Sequence, residues 1–155
     1  MPREESLYPL DWLRIAEKDL WRAEHLLNIE DAEAAGFFLQ QALEKLLKAF
    51  LLANGWELRR IHDVETLLNA ALEYDDTLEP FRSVCQRVTG FYFAERYPIL
   101  IDSSLTIEDV TISLGESREL IYRLKSNLDQ RFGQETPQDE DPIAPDERTT
   151  DSDSD

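Results

Sequence analysis

Cysteine is almost absent from this sequence, and the single one, Cys85, leaves no means of building an internal disulfide. That usage fits a reducing compartment. Cys85 sits in an apolar frame with Phe81, Val84 and Val88, with no histidine beside it in sequence. A buried, inert thiol is therefore expected there in place of a nucleophile. Histidine is nearly as scarce, with only His25 and His62. No Glu-x-x-His pair exists, so the di-iron pattern, which takes one such pair from each of two helices, is excluded. No metal and no cofactor are expected. The five glycines are scattered at positions 36, 55, 90, 115 and 133 and form no phosphate-cradling loop. No nucleophile-elbow motif supports a Ser-His-Asp triad. Apolar runs stop far short of the roughly 18 residues that a membrane-spanning helix needs. The N-terminal stretch MPREESLYPLDW has mixed charges and no apolar signal core. A soluble cytoplasmic protein is the expectation.

Basic residues are also in the minority: 16 Lys and Arg face 33 Asp and Glu, for a net charge of −17. The last 23 residues carry −8 of it and the preceding 132 carry −9. Sequence-independent binding to nucleic acid needs clustered positive charge, and this balance opposes it. From Gly133 on, Asp, Glu, Pro, Ser and Thr dominate, with Ile143 and Ala144 the only apolar residues. Such a segment cannot bury enough surface to offset the entropy of ordering. The expected organisation is one helical domain over residues 1–132 and a disordered acidic tail over 133–155.

Strand-like alternation is missing as well, apart from a short apolar stretch at Ile99-Leu100-Ile101, expected to be a loop. What is present is helical periodicity. A first helix is predicted from after Pro9 to about Ile29, N-capped by Asp11, with Trp12, Ile15, Ala16, Asp19, Ala23 and Leu26 along one face. A second spans about Asp31–Ala53 and stops at Asn54-Gly55. The near absence of a loop between them predicts an antiparallel hairpin. A short third helix follows His62-Asp63, with Asp63 as its cap. A fourth is predicted from near Leu78, with Pro80 in its first turn, to before Pro98. A fifth begins at Thr106, where Thr106-Ile-Glu-Asp109 has capping-box spacing. The predicted fold class is all-α, a four-helix up-down bundle with a short accessory helix.

The second helix carries the main functional signal. Gln41, Glu44, Lys45 and Lys48 fall at i, i+3, i+4 and i+7, which lines them up on one side of an otherwise apolar helix. A nearly all-apolar helix belongs at the centre of a bundle, so this polar line is either its one wet edge or the edge of a site. A solvated face with a Glu44–Lys48 pair explains it cheaply. His62, behind Arg59-Arg60, is either a surface histidine beside the Asp63 cap or a side chain projecting into a groove bounded by Lys45 and Lys48. The stretch Phe91-Tyr-Phe-Ala-Glu-Arg-Tyr-Pro98 is dense in aromatics, which pack more often than they stack on bases. Arg96 lies at a helix end, where a guanidinium can meet a carboxylate or phosphate.

Three of these elements, in order, resemble a HEPN domain. Phe37-Phe-Leu-Gln-Gln-Ala-Leu-Glu-Lys-Leu-Leu-Lys48 is similar to that family's A-x-x-Q-A-x-E-K-x-x-K helix. Ile61-His-Asp-Val-x-x-Leu-Leu68 is similar to its T-H-D-L-x-x-L segment, and Tyr92-Phe-Ala-Glu-Arg-Tyr-Pro98 to its aromatic-x-x-x-R-Y-P ending. The resemblance covers roughly residues 8–130. It implies a dimerising helical domain like the substrate-binding subunits of nucleotidyltransferases. Such domains are often encoded with a minimal nucleotidyltransferase as a toxin–antitoxin pair. Gln41, Glu44, Lys45, Lys48, His62, Asp63, Arg96 and Tyr97 are the positions it carries over as a nucleotide-binding or polar groove. Many members are metal-independent ribonucleases with an Arg, four to six residues, then a His. No arginine here is followed by a histidine at that distance. The resemblance thus implies a homodimeric module that binds a nucleotide or a nucleotidyltransferase partner without the usual ribonuclease motif. The alternatives are a divergent ribonuclease using His62 with Arg59 or Arg96, and a purely structural dimeric interaction protein.

Overall fold

A computed structural model describes residues 5–96 and 105–133. The described residues are entirely helix and connector. The helices are α1 (Pro9–Asn28), α2 (Ala32–Ala53), α3 (Val64–Leu72), α4 (Arg82–Arg96) and α5 (Ile107–Phe132), with a 3₁₀ helix at Asp76–Phe81 between α3 and α4. Among the described residues, four long helices and one short one are therefore present. Helix α2 lies at the centre and packs on all four of the others, whereas α1–α5 and α4–α5 contacts are sparse by comparison. Its Leu39, Leu43, Leu47, Leu51 and Phe50 are buried, and Leu67, Leu68, Val88, Leu120 and Leu124 close around them. The apolar circumference of α2 is thus the reason for its central place.

Most helix ends follow from local chemistry. Asp31 caps α2 by accepting the Ala34 N–H at 3.2 Å. Asn54-Gly55 ends it: Gly55 takes φ +88°, and Trp56 N–H reaches back to the Leu51 carbonyl at 3.0 Å. Asp63 caps α3 through the N–H groups of Glu65 and Thr66. Thr106 and Asp109 form a reciprocal capping box on α5. The short link from α1 to α2 turns through Glu30 at φ +62° and produces the expected hairpin.

Three expectations need correction. Asp11 does not cap α1; Pro9 starts the helix, because its fixed φ suits the first helical position and its missing N–H costs nothing there. Asp11 instead accepts from Ser6 Oγ at 2.6 Å and pairs with Arg14 at 3.1 Å. The fourth α-helix starts at Arg82, not near Leu78, because Asp76–Phe81 winds as a 3₁₀ helix capped by Asp75. Pro80 disfavours the α conformation at Glu79, which suits the tighter turn. Ile15, placed on the buried face of α1, is 44% exposed, and Asp19 on that face is buried instead. Cys85 is fully buried, and that burial pushes its thiol up to about 12, as an inert thiol requires. Tyr97, Pro98, the Ile99–Ile101 stretch and residues 134–155 of the expected tail lie outside the described residues.

Candidate functional site

The polar line on α2 is not a solvated face. Glu44 is 3% exposed and Lys48 is 1% exposed. Gln41 and Lys45 are half-buried. A helix advances about 100° per residue, so neighbours along this row diverge toward different partners. Gln40 and Glu44 turn toward the connector before α3, while Lys45 and Lys48 turn toward α1.

On the α3 side, Glu44 Oε1 lies 2.8 Å from His62 Nδ1. Gln40 Nε2 donates to the His62 backbone carbonyl at 3.0 Å, and Gln41 Nε2 donates to Gln40 Oε1 at 2.7 Å. Two buried side chains of α2 therefore grip one residue of the connector. With the carboxylate accepting, Nδ1 carries a proton, and in the neutral form of the ring Nε2 is left as an acceptor. The His62 side chain is 64% exposed, so Glu44 is a buried brace behind an accessible imidazole. Burial pushes the Glu44 pKa above the ordinary carboxylate value, while Lys48, the His62 hydrogen bond, the His62 charge and Lys45 pull it back down.

In front of this pair lies an open cleft of about 220 Å³ lined by Gln40, His62, Asp63, Thr89 and Tyr92. Its walls come from α2, from the α3 cap and from α4. Asp63 Oδ1 accepts the two cap N–H groups at 2.9 and 3.4 Å and lies 3.3 Å from Thr89 Oγ1. Thr89 Oγ1 donates to the Cys85 carbonyl at 2.9 Å. The Tyr92 ring is held beside Phe37 of α2, with centroids 5.8 Å apart.

On the α1 side, Asp19 is 1% exposed and receives two cations. Lys45 Nζ makes a short contact with Oδ2, and Arg22 reaches Oδ1 at 2.7 Å. Lys48 Nζ lies 5.2 Å from the centre of the Trp12 ring, a cation–π contact inside the α1–α2 seam. Trp12 Nε1 in turn donates to the Ser6 carbonyl at 2.7 Å.

The expected groove bounded by Lys45, Lys48 and His62 is therefore not assembled. His62, Asp63 and Glu44 come together, but the two lysines are drawn into the packing of α1. The cheap Glu44–Lys48 ion pair is not formed either; Glu44 pairs with His62 because the connector brings an imidazole within hydrogen-bond reach. Arg96 is the last residue of α4, and Tyr97 lies outside the described residues. Sequence reasoning missed Gln40, Thr89, Tyr92 and Asp19 as site or network residues. Gln40 was legible, since it shares the i, i+4, i+8 row with Glu44 and Lys48. Asp19 carried a signal too, as an acid on a core-facing register between Ala16 and Ala23. Tyr92 carried one as the first aromatic of the Tyr92–Pro98 motif, whereas Thr89 carried none, because only the packing of α4 on α2 and α3 brings it to the cleft.

The comparisons with known proteins agree on the fold. The HEPN domain profile matches residues 10–127. The chain is similar to the solved structure of TT1696 from Thermus thermophilus, at 25% identity and a TM-score of 0.69, covering 76% of this chain and 96% of that one. It is also similar in fold to ST0689, an archaeal HEPN homologue, at 23% identity and a TM-score of 0.63, covering 78% and 98% of the two chains. No curated protein matches the chain. Among the described residues no helix is long and apolar enough to cross a membrane.

Proposed function

The chain belongs to the HEPN domain family, and from that premise we propose that it is a binding and interaction module. In this reading it forms a homodimer, pairs with a minimal nucleotidyltransferase in the manner of a toxin–antitoxin couple, and takes a nucleotide in the cleft beside His62. The observation that carries the reading is the buried Glu44 bracing an accessible His62 at 2.8 Å on the wall of that cleft. Burying a carboxylate is costly unless it is paired, and one spent on holding an exposed ring marks that ring as positioned. The nucleotide is read at His62, Asp63 and Glu44 rather than at Lys45 and Lys48, whose charges already face Asp19 and Trp12. Arg96 and Tyr97 remain part of the proposal through the motif they belong to.

Exposed apolar side chains support the interaction part. Trp21 on α1 is 57% exposed, and Ile112 and Tyr122 on α5 are 49% and 67% exposed. Contiguous exposed apolar surface marks contact sites for other proteins, and these side chains are what such a surface would draw on. A dimer predicts about twice the 18.0 kDa chain mass by light scattering; a monomeric mass removes that element.

Nucleotide binding predicts a rise in melting temperature with saturating ATP or GTP, because a ligand that binds only the folded state stabilises it by mass action. The rise should shrink in His62→Ala. No shift with any nucleotide would end the proposal.

A second reading draws on the same pair. An imidazole whose Nδ1 is held by a carboxylate has the arrangement of a general base, so a divergent ribonuclease using His62 with Arg59 or Arg96 is the alternative. Failure of the unmutated protein to cleave RNA removes it. If neither a nucleotide nor RNA engages the cleft, the purely structural dimer is what remains.

A further inference from the structure

We infer that the cleft recognises the nucleoside part of its ligand, the base and the sugar hydroxyls, and leaves the phosphates outside. This rests on the nucleotide reading above and narrows it.

The first argument is electrostatic. Among the described lining residues the full charge is the carboxylate of Asp63, and directly behind the imidazole sits Glu44. The lysines of α2 that a phosphate would seek are withdrawn: Lys45 is paired with Asp19, and Lys48 is 1% exposed over Trp12. An anion entering the cleft meets carboxylates and no permanent cation from these lining residues. A donor-rich, uncharged group meets acceptors.

The second argument is the inventory of those acceptors. Asp63 commits Oδ1 to the two N–H groups of the α3 cap, which leaves Oδ2 for a ligand hydroxyl or amine. His62, its Nδ1 held by Glu44, offers Nε2 as a second acceptor. Tyr92 supplies an aromatic wall whose orientation is fixed against Phe37, and a base can stack on such a wall. A ribose, with its cis hydroxyl pair, and an attached base present hydroxyls and a π-face together.

The third argument is size. At about 220 Å³ the cleft is smaller than the roughly 300–1,000 Å³ typical of pockets for drug-sized ligands. It suits one base and its sugar.

The test is calorimetric titration of the full chain with the four ribonucleosides, the matching triphosphates, the 2′,3′-dideoxynucleosides and inorganic pyrophosphate. The expected result is that the preferred nucleoside binds within about threefold of its triphosphate. Its dideoxy form should lose about tenfold, the scale of one hydrogen bond to a charged group. Pyrophosphate should neither bind nor compete. Asp63→Asn should weaken the nucleoside about tenfold with the melting temperature held, because Asn caps a helix as well as Asp does. Thr89→Val provides a second variant on the same wall and should weaken binding less. A triphosphate that binds more than tenfold tighter than its nucleoside, with pyrophosphate competing, overturns the inference and leaves the nucleotide reading standing. Equal binding by Asp63→Asn also overturns it, since the ligand then sits elsewhere. If no nucleoside or nucleotide binds, both the inference and the reading beneath it fall.

Discussion

Helix α2 buries two carboxylate networks less than two turns apart, one toward α1 and one toward α3, and they are built for different ends. Asp19 receives Arg22 and Lys45, two permanent cations, inside the seam of the α1–α2 hairpin. Glu44 receives His62, whose side chain is 64% exposed. The first network is closed: both partners belong to the hairpin, and each oxygen of the buried carboxylate meets a cation. The second is open: its outer member faces a cleft and keeps one ring nitrogen uncommitted. A buried acid answered by Arg and Lys ties helices together. A buried acid answered by an accessible His holds a group in place for something else.

The largest expected effect comes from breaking the closed network. Asp19→Ala leaves two cations facing a seam that no longer neutralises them. Its cost should be about 3 kcal/mol, the low end for breaking a buried pair because Arg22 and Lys45 can reach toward water. Urea denaturation measures it. A loss below about 1 kcal/mol would erase the distinction between the two networks.

Lys48 sharpens the same side. Lys48→Met keeps the stem's packing in the seam and removes a buried charge, so stability should hold to within about 1 kcal/mol. Lys48→Ala also removes the packing and should cost about 2 kcal/mol. Because Lys48 is the strongest influence holding the Glu44 pKa down, Lys48→Met should raise that pKa further, readable by NMR titration of the Glu44 carboxyl.

On the open side, His62→Ala should cost only about 1 kcal/mol, since half of the pair is solvated and solvent screens it. Loss of nucleotide binding should far exceed that stability change. The reverse ranking would make His62 a structural residue.

The smallest effect is a pH slope. Burial raises the folded-state pKa of Glu44, so the folded protein holds that proton more tightly than the unfolded chain does. Its contribution to stability is therefore full below the ordinary value of 4.5 and declines as pH rises from there through the raised folded value. Glu44→Gln should remove this decline. Denaturation midpoints measured from pH 4 upward should fall less steeply in the variant than in the parent. A steeper fall in Glu44→Gln would contradict the assignment.

Much of this fold was legible before any coordinates. The caps at Asp63 and Thr106, the stop at Asn54-Gly55 and the hairpin of α1 and α2 all follow from short-range rules about orphaned N–H groups and left-handed residues. The centrality of α2 followed from its composition. The 3₁₀ helix before α4 was not legible, because the choice between two tight helical windings depends on small local differences at Glu79-Pro80. The candidate site was half legible. Glu44, His62 and Asp63 were singled out by residue type and motif, and Gln40 lay one position away from the row that was read.

What the sequence determined by itself is the set of α-helices, most of the apolar residues buried along them and, through three motifs, the family the chain resembles, because periodicity, capping and motif spacing are properties of neighbours in the chain. What only the tertiary structure decided is how the polar line of α2 is divided. Lys45 and Lys48 look as available as Glu44 in a helical projection, yet Asp19 and Trp12, 26 and 36 positions earlier in the chain, claim them. Thr89 and Tyr92 reach the cleft from α4 in the same long-range way. A buried charge goes to whichever partner the packing brings within hydrogen-bond reach, and that distance is set by how helices cross, not by their order in sequence.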